Sequence, residues 1–180
     1  MRVLIDACVL YPTVMREMVL GVAGQGVFEP QWSARLLEEW ALAARKLGPE
    51  GEALARGKIA LLQAAWPRAE VKVPEGLMRR LWLPDPNDIH VLAAAIAGSA
   101  DVILTMNAKD FPCGLLAEEG LSRADPDGFL LGCFEAEPEP VCKVADAVLA
   151  EACRLSGEHW DTRRLFKKAR LPRLGKALAA

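Results

Sequence analysis

The chain has 180 residues, of which 52% are hydrophobic and 26% are charged, and its net charge is −2. This composition is apolar enough to form a hydrophobic core and excludes a disordered polar chain, while the net charge favours no class of partner. The five cysteines are odd in number and form no CxxC pair, which argues against a disulfide framework or a structural zinc site and favours reduced thiols in the cytoplasm. Because the apolar runs are short or interrupted and no basic leader precedes them, we expect neither a signal peptide nor a membrane span.

Short apolar runs alternate with helical patterns along the whole chain. The first half predicts a strand over 2–6, a helix over 13–25, a strand over 28–30, a helix from the N-cap Ser33 to Leu47, a helix over 50–65 and a strand over 71–73. The second half predicts a helix from Asp88 to Ala97, a strand over 101–105, a helix N-cap at 125–127, a joint at Pro138 and Pro140, and helices over 141–156 and 160–170. This alternation indicates an α/β fold with a central parallel sheet flanked by helices, over residues 1–135, followed by a helical extension over residues 136–180.

Ligand sites of parallel sheets lie beyond the carboxyl ends of the strands. Asp6 follows the first strand directly, and the loop from Asn107 to Asp110 follows the strand over 101–105. We therefore expect both to lie at the same edge of the sheet. Turn chemistry is the alternative explanation for each of these residues, since aspartate and asparagine are common in turns.

Glu39 and Asp88 are the helical acids that could join this edge. In the helix over 33–47, Glu39 lies beside the apolar arc, whereas Glu38 points almost opposite to it and should be solvated. Asp88 falls on the inward face of its helix, where a carboxylate needs an N-cap role or a metal ion, while His90 falls away from that face. Asp85 is interpreted as a turn residue, and an exposed helical acid is the alternative for Glu39.

Four carboxylates, of Asp6, Glu39, Asp88 and Asp110, would repel one another without a cation. A cluster of acids alone favours Mg²⁺ or Mn²⁺ and phosphodiester chemistry. Thr105 and Asn107 are supporting candidates that would bind water or phosphate. The tryptophans at positions 66, 82 and 160 are predicted to lie in the core rather than to stack on bases.

At these residues the chain resembles the PIN-domain family of metal-dependent ribonucleases, and in particular its VapC-like toxin branch. The resemblance covers residues 2–133. It rests on Leu4-Ile5-Asp6-Ala7-Cys8-Val9-Leu10, on Trp32-Ser33 followed by Glu39, on Asp85-Pro86-Asn87-Asp88 opening an alanine-rich helix, and on Thr105-Met106-Asn107-Ala108-Lys109-Asp110-Phe111. Two positions depart from the pattern: Cys8 stands where this branch often has asparagine, and Asn107 stands where other branches have aspartate.

The resemblance implies an endoribonuclease that uses metal-activated water and takes Asp6, Glu39, Asp88 and Asp110 as metal ligands. It also implies an RNA substrate, a cognate antitoxin protein as partner, and a homodimer. Three alternatives remain open: a catalytically weak or inactive PIN-like module that binds nucleic acid, a phosphoacceptor domain, and a DNA nuclease of related fold. The basic segment over 161–180, with seven cations and one acid, would contact RNA or an acidic partner, or form a solvated helix face.

Overall fold

The computed structural model describes residues 1–180 and contains four β-strands, ten α-helices and four short 3-10 helices. The strands are β1 (Arg2–Ile5), β2 (Glu29–Gln31), β3 (Val102–Leu104) and β4 (Ser122–Ala124). The α-helices are α1 (Ala7–Leu10), α2 (Thr13–Gly24), α3 (Ala34–Ala43), α4 (Gly51–Ala65), α5 (Ile89–Ala97), α6 (Cys113–Glu118), α7 (Pro126–Ala136), α8 (Pro138–Ser156), α9 (Thr162–Lys168) and α10 (Pro172–Leu178). The 3-10 helices span Ala44–Leu47, Leu77–Arg80, Pro86–Asp88 and Ala108–Asp110.

The four strands form one parallel sheet in the order β2-β1-β3-β4, which confirms the predicted parallel α/β fold. Ile5 is in register with Leu104, and Leu104 with Ala124. The backbone N–H of Asp6 then donates to the carbonyl of Leu104 at 3.0 Å. The residues that follow β1 and β3 are therefore neighbours at the carboxyl edge of the sheet.

The strands at the centre of the sheet are apolar apart from the exposed Arg2, because both of their faces are buried. The side chains of β1 from Val3 to Ile5 are fully buried, as are Ile103 and Leu104 of β3. Helix α5 packs against both strands. Burial of this apolar surface fixes the ends of β1 and β3, and with them the residues that follow.

The chain divides into two compact units. The first unit, Met1–Tyr11 with Glu29–Ala124, contains the sheet and helices α1 and α3 to α6. The second unit, Pro12–Phe28 with Asp125–Ala180, is helical. In this unit the buried carboxylate of Asp127 accepts hydrogen bonds from the backbone N–H groups of Arg173 and Leu174, both at 3.0 Å. Asp127 therefore caps the start of α10. The predicted boundary between residues 135 and 136 stays a prediction. No helix combines the length and the apolar character that crossing a bilayer requires.

The predicted strand over 71–73 is wrong. The ladder ends after an isolated bridge between Trp32 and Glu70, where the N–H of Val71 donates to the carbonyl of Trp32 at 2.7 Å. Pro74 follows closely and has no N–H with which to extend the pairing. Helices α1, α6 and α10 and strand β4 were not predicted; β4 reads Ser-Arg-Ala and lies at the edge of the sheet, so it lacks the apolar signature of a central strand.

Candidate metal centre

Asp6, at the end of β1, is a buried carboxylate whose orientation is fixed by two neighbouring donors. Its Oδ2 accepts a hydrogen bond from the hydroxyl of Thr105 at 2.7 Å and one from the thiol of Cys8 at 3.0 Å. Burial, and then the charge of Asp6, raises the pKa of the Cys8 thiol to about 12, so the thiol keeps its proton and remains a donor. Thr105 therefore supports the site by donating the hydrogen bond that orients the carboxylate of Asp6.

Three further carboxylates converge beside Asp6. Asp85, Asp88 and Asp110 each place an oxygen within 4.8 Å of the others, and all three are half-buried. We call these three residues the acidic triad. Two of its members, Asp88 and Asp110, are sequence-predicted site residues, whereas Asp85 was interpreted as a turn residue.

Asp85 combines both roles. One oxygen, Oδ1, accepts from the backbone N–H of Asn87 at 2.9 Å and so starts the 3-10 helix Pro86–Asp88. Residues three apart in a 3-10 helix lie one above the other, which brings Asp85 close to Asp88. The spacing Asp-Pro-Asn-Asp therefore indicates that Asp85 lies beside Asp88, in addition to its role in the turn.

Asp88 experiences the strongest electrostatic conflict in the site. It stands at the N-cap position of α5, yet its side chain makes no capping hydrogen bond. Burial, followed by the negative charges of Asp6, Asp85 and Asp110, raises the pKa of Asp88 to about 6. The N-cap explanation for this carboxylate is therefore wrong, and it lies among like charges.

Asn107 lies within the same group of side chains. Its Nδ2 donates to Oδ2 of Asp110 and lies 3.5 Å from Oδ2 of Asp88. Its backbone N–H donates to the hydroxyl of Thr105 at 3.0 Å. A neutral amide between two carboxylates reduces their repulsion without adding a charge.

Glu39 is not a member of the acidic triad. Its Oε1 accepts from Nε2 of His90 at 2.9 Å and from Nε of Arg35 at 3.3 Å. Partial burial would raise the pKa of Glu39, but the hydrogen bond and charge of His90, followed by those of Arg35, outweigh burial and lower it. The alternative of a simple exposed acid is wrong for Glu39, whereas Glu38 is solvated as predicted and pairs with Arg56.

The prediction that His90 points away from the inward face is also wrong. His90 is only 4% exposed. Helix α5 is buried along nearly all of its residues up to Ala95, so it has no solvent face onto which a histidine could point. Nε2 of His90 lies 2.9 Å from Oε1 of Glu39, so His90 contacts a predicted site residue that lies outside the acidic triad.

The donor set fits a divalent cation. Asp6 and the acidic triad offer only carboxylate oxygens, and no lysine or arginine lies within ion-pair distance of any of them. Hard cations such as Mg²⁺ and Mn²⁺ prefer such oxygens, and a cation would relieve the repulsion that raises the pKa of Asp88.

A comparison with protein-family models gives a match to the PIN domain over residues 2–109, which is more than half of the chain. The chain belongs to the PIN-domain family. No curated protein and no solved structure gives a significant match. PIN domains are generally metal-dependent nucleases, so this chain has a nuclease-type fold, an acidic cluster that could bind a divalent metal, and a nucleic acid as its implied substrate.

The departures from the family pattern have structural counterparts in this PIN-domain protein. Cys8 donates a hydrogen bond to Asp6 and so helps to orient this carboxylate. Asn107 supplies an amide where a fifth carboxylate would lie in the same group. Both replacements keep a hydrogen-bonding partner for the acids.

One tryptophan of the PIN domain lies where the sequence did not predict it. Trp160 is buried, as predicted, and Trp66 is partly buried. Trp82, in contrast, is 65% exposed, so its prediction as a core residue is wrong. A single exposed apolar side chain is ordinary on a protein surface, whereas a contiguous apolar patch would mark a binding site.

Proposed function

We propose that this PIN-domain protein is an endoribonuclease that depends on Mg²⁺ or Mn²⁺. The observation that carries the proposal is the convergence of Asp85, Asp88 and Asp110 beside the buried Asp6, at the carboxyl edge of the sheet and without a lysine or arginine to pair them. Such an arrangement is costly unless a cation binds, and phosphodiester chemistry is the common use of cations held by acids alone.

The acidic triad and Asp6 would hold the metal ion. When bound, a divalent cation would activate water and offset the negative charge that develops on the phosphodiester. Thr105 and Cys8 contribute by holding one oxygen of Asp6, which leaves the other oxygen for the ion. Asn107 contributes by keeping Asp88 and Asp110 together, and a rotation of its amide would present Oδ1 as a neutral ligand.

Glu39 has a distinct place in this proposal. Together with Asp6, Asp88 and Asp110 we assign it to the catalytic carboxylates, and we add Asp85 to that group. His90 binds Glu39 at 2.9 Å. The contact with His90 would hold the carboxylate of Glu39 in one orientation.

The resemblance of four motifs to the VapC-like branch supports the finer part of the proposal. The substrate would be RNA, and the protein would be the toxin of a toxin-antitoxin pair that acts in the cytoplasm. A cognate antitoxin would be its partner, and the protein would form a homodimer.

One observation favours a second function, a PIN-like module that binds nucleic acid with weak or no turnover. The amide of Asn107 donates to Asp110 and approaches Asp88, so it occupies carboxylate oxygens that a metal ion would need. A site of this kind would bind metal weakly while retaining the nucleic-acid surface.

The test is cleavage of a mixed cellular RNA pool by the purified protein in Mg²⁺, in Mn²⁺ and in EDTA, with a DNA pool alongside. The variant Asp88→Asn should lose cleavage, and the control Glu38→Gln, a solvated acid of the same fold, should keep it. Cuts that persist in EDTA or in Asp88→Asn would overturn the metal centre, and cuts in DNA alone would overturn the assignment of RNA. Metal binding in calorimetry without cuts in either pool would replace the nuclease by the binding module.

A further inference from the structure

Trp82 is an aromatic side chain that the fold leaves in solvent. It is 65% exposed and is the one aromatic among the exposed large apolar residues. An indole on the surface forgoes the stabilisation that its burial would give, and it is available to a ligand with an apolar face.

The backbone on both sides of Trp82 is anchored. Leu81 and Leu83 are buried, Leu83 to 1% exposure. The guanidinium of Arg80 binds both carboxylate oxygens of Glu119, at 2.6 and 3.1 Å. The ring of Trp82 thus projects from a fixed segment, so less conformational entropy is lost when a ligand binds it.

This segment leads directly into the acidic triad. Two residues, Leu83 and Pro84, lie between Trp82 and Asp85, so three Cα–Cα steps join them and their Cα atoms lie at most ~11 Å apart. That distance corresponds to about three nucleotides at ~3.4 Å each along a stacked strand. A strand that has a phosphate at the triad and runs towards Trp82 would cover this distance within about three nucleotides.

Two cations lie close in sequence to Trp82 and to the triad. Arg79 is exposed and makes no ion pair with a protein carboxylate, and Lys109, beside Asp110, is likewise exposed and unpaired. Free guanidinium and ammonium groups contact phosphates, whereas aromatic rings stack on bases. The surface next to the triad thus offers partners for both parts of a nucleotide.

We infer that Trp82 is a stacking platform for an unpaired base of single-stranded RNA, within about three nucleotides of the phosphate held at the acidic triad. The inference rests on the proposed function and specifies its substrate as a strand whose base is free to leave a duplex. Stacking is tolerant of base identity because every base has a π-face. Trp82 would therefore select single strands over duplexes rather than one sequence over another.

Binding measured in Ca²⁺, an oxygen-binding cation that offsets the charge of the acidic triad and is neither of the two proposed cleavage metals, separates this inference from cleavage. The probes are a fluorescein-labelled uridine 12-mer, the same 12-mer with abasic riboses throughout, and a 12-base-pair RNA duplex, each followed by fluorescence anisotropy at low salt. The variants are Trp82→Ala, Trp82→Phe and the control Trp66→Ala, with circular dichroism to verify folding. Trp66 is a partly buried tryptophan at the end of α4, an element that does not include the segment over 79–85.

Trp82→Ala should raise the Kd for the uridine 12-mer roughly tenfold, within the range for base–aromatic stacking. The Kd for the abasic 12-mer and for the duplex should change less than about twofold, since neither presents a free base. Trp82→Phe should restore most of the affinity, and Trp66→Ala should retain it.

An equal loss of affinity on all three probes, an unchanged Kd in Trp82→Ala, or an absence of binding by the wild-type protein would overturn the inference. If the protein cuts RNA with metal and Trp82→Ala binds normally, the stacking role fails while the nuclease stands. If Trp82-dependent binding is found but no metal supports cleavage, the nuclease fails while the stacking surface stands.

Discussion

Replacement of Asp88 by asparagine should remove cleavage and at the same time stabilise the metal-free protein. The pKa of Asp88 is raised from 3.8 to about 6 by burial and by Asp6, Asp85 and Asp110. At 1.36 kcal/mol per pH unit, this rise sets a ceiling of about 3 kcal/mol on the cost of ionising Asp88 in the folded state. Solvent screening of a half-exposed group and the favourable dipole of α5 reduce the gain, and we expect about 1 kcal/mol.

The sign of the effect fixes its pH dependence. Below pH 3.8 Asp88 is protonated in both states, and the substitution should then be nearly neutral. As the pH rises towards about 6, the unfolded chain releases the proton first, so the wild-type protein loses stability that the variant keeps. The advantage of Asp88→Asn should therefore appear across this window and stay constant above it.

Urea unfolding at pH 4.0 and pH 7.5 in EDTA measures both quantities, with Asp146→Asn as a control on an exposed aspartate of α8. Addition of Mg²⁺ at about 100 times its Kd should stabilise the wild-type protein by about 2.7 kcal/mol and leave Asp88→Asn unchanged. A destabilised variant at pH 7.5, or a gain that is the same at both pH values, would refute the account of Asp88 as a carboxylate among like charges.

Three further predictions concern the same site. Metal binding requires the ionised carboxylate, so cleavage at subsaturating Mn²⁺ should fall about tenfold per pH unit below about 6, the pKa of Asp88; a flat profile between pH 5 and 8 would contradict this. Asp85→Asn should raise the Kd for Mn²⁺ at least roughly tenfold in calorimetry, whereas Glu38→Gln should not change it. Thr105→Val removes the hydroxyl that binds the buried Asp6, and it should lower the free energy of unfolding by about 1.5–3 kcal/mol; a loss below 0.5 kcal/mol in urea unfolding would show that Cys8 alone satisfies Asp6.

The fold could be predicted where burial dominates the sequence. β1 and β3 are short apolar runs because the centre of a parallel sheet is buried on both faces. The helix from Ser33 was predictable because its hydroxyl accepts from the N–H of Leu36, as an N-cap should. β4 could not be predicted, since an edge strand as short as Ser122–Ala124 carries no apolar pattern.

The candidate site was predictable in part for a related reason. Asp6 and Asp110 follow central strands, and parallel topology brings the ends of such strands together. Asp85 was predicted only as a turn residue because one of its oxygens does accept a hydrogen bond in the turn, and a turn pattern does not predict what the second oxygen contacts. His90 was missed because the helical-wheel argument assumes a solvent face, which α5 lacks. The prediction that Trp82 lies in the core was wrong because hydrophobicity alone does not distinguish a buried tryptophan from an exposed one.

The hydrogen bond from Cys8 to Asp6 also determines how the protein can be labelled. Thiol reagents attack the thiolate, and a thiol with a pKa of about 12 that lies against a carboxylate supplies almost none at neutral pH. Cys113, in contrast, is exposed at the start of α6. A maleimide dye or spin label should therefore react first at Cys113, ahead of the half-buried Cys142 and Cys153, and leave the donor to Asp6 unmodified, so that binding and cleavage can be followed with the wild-type sequence.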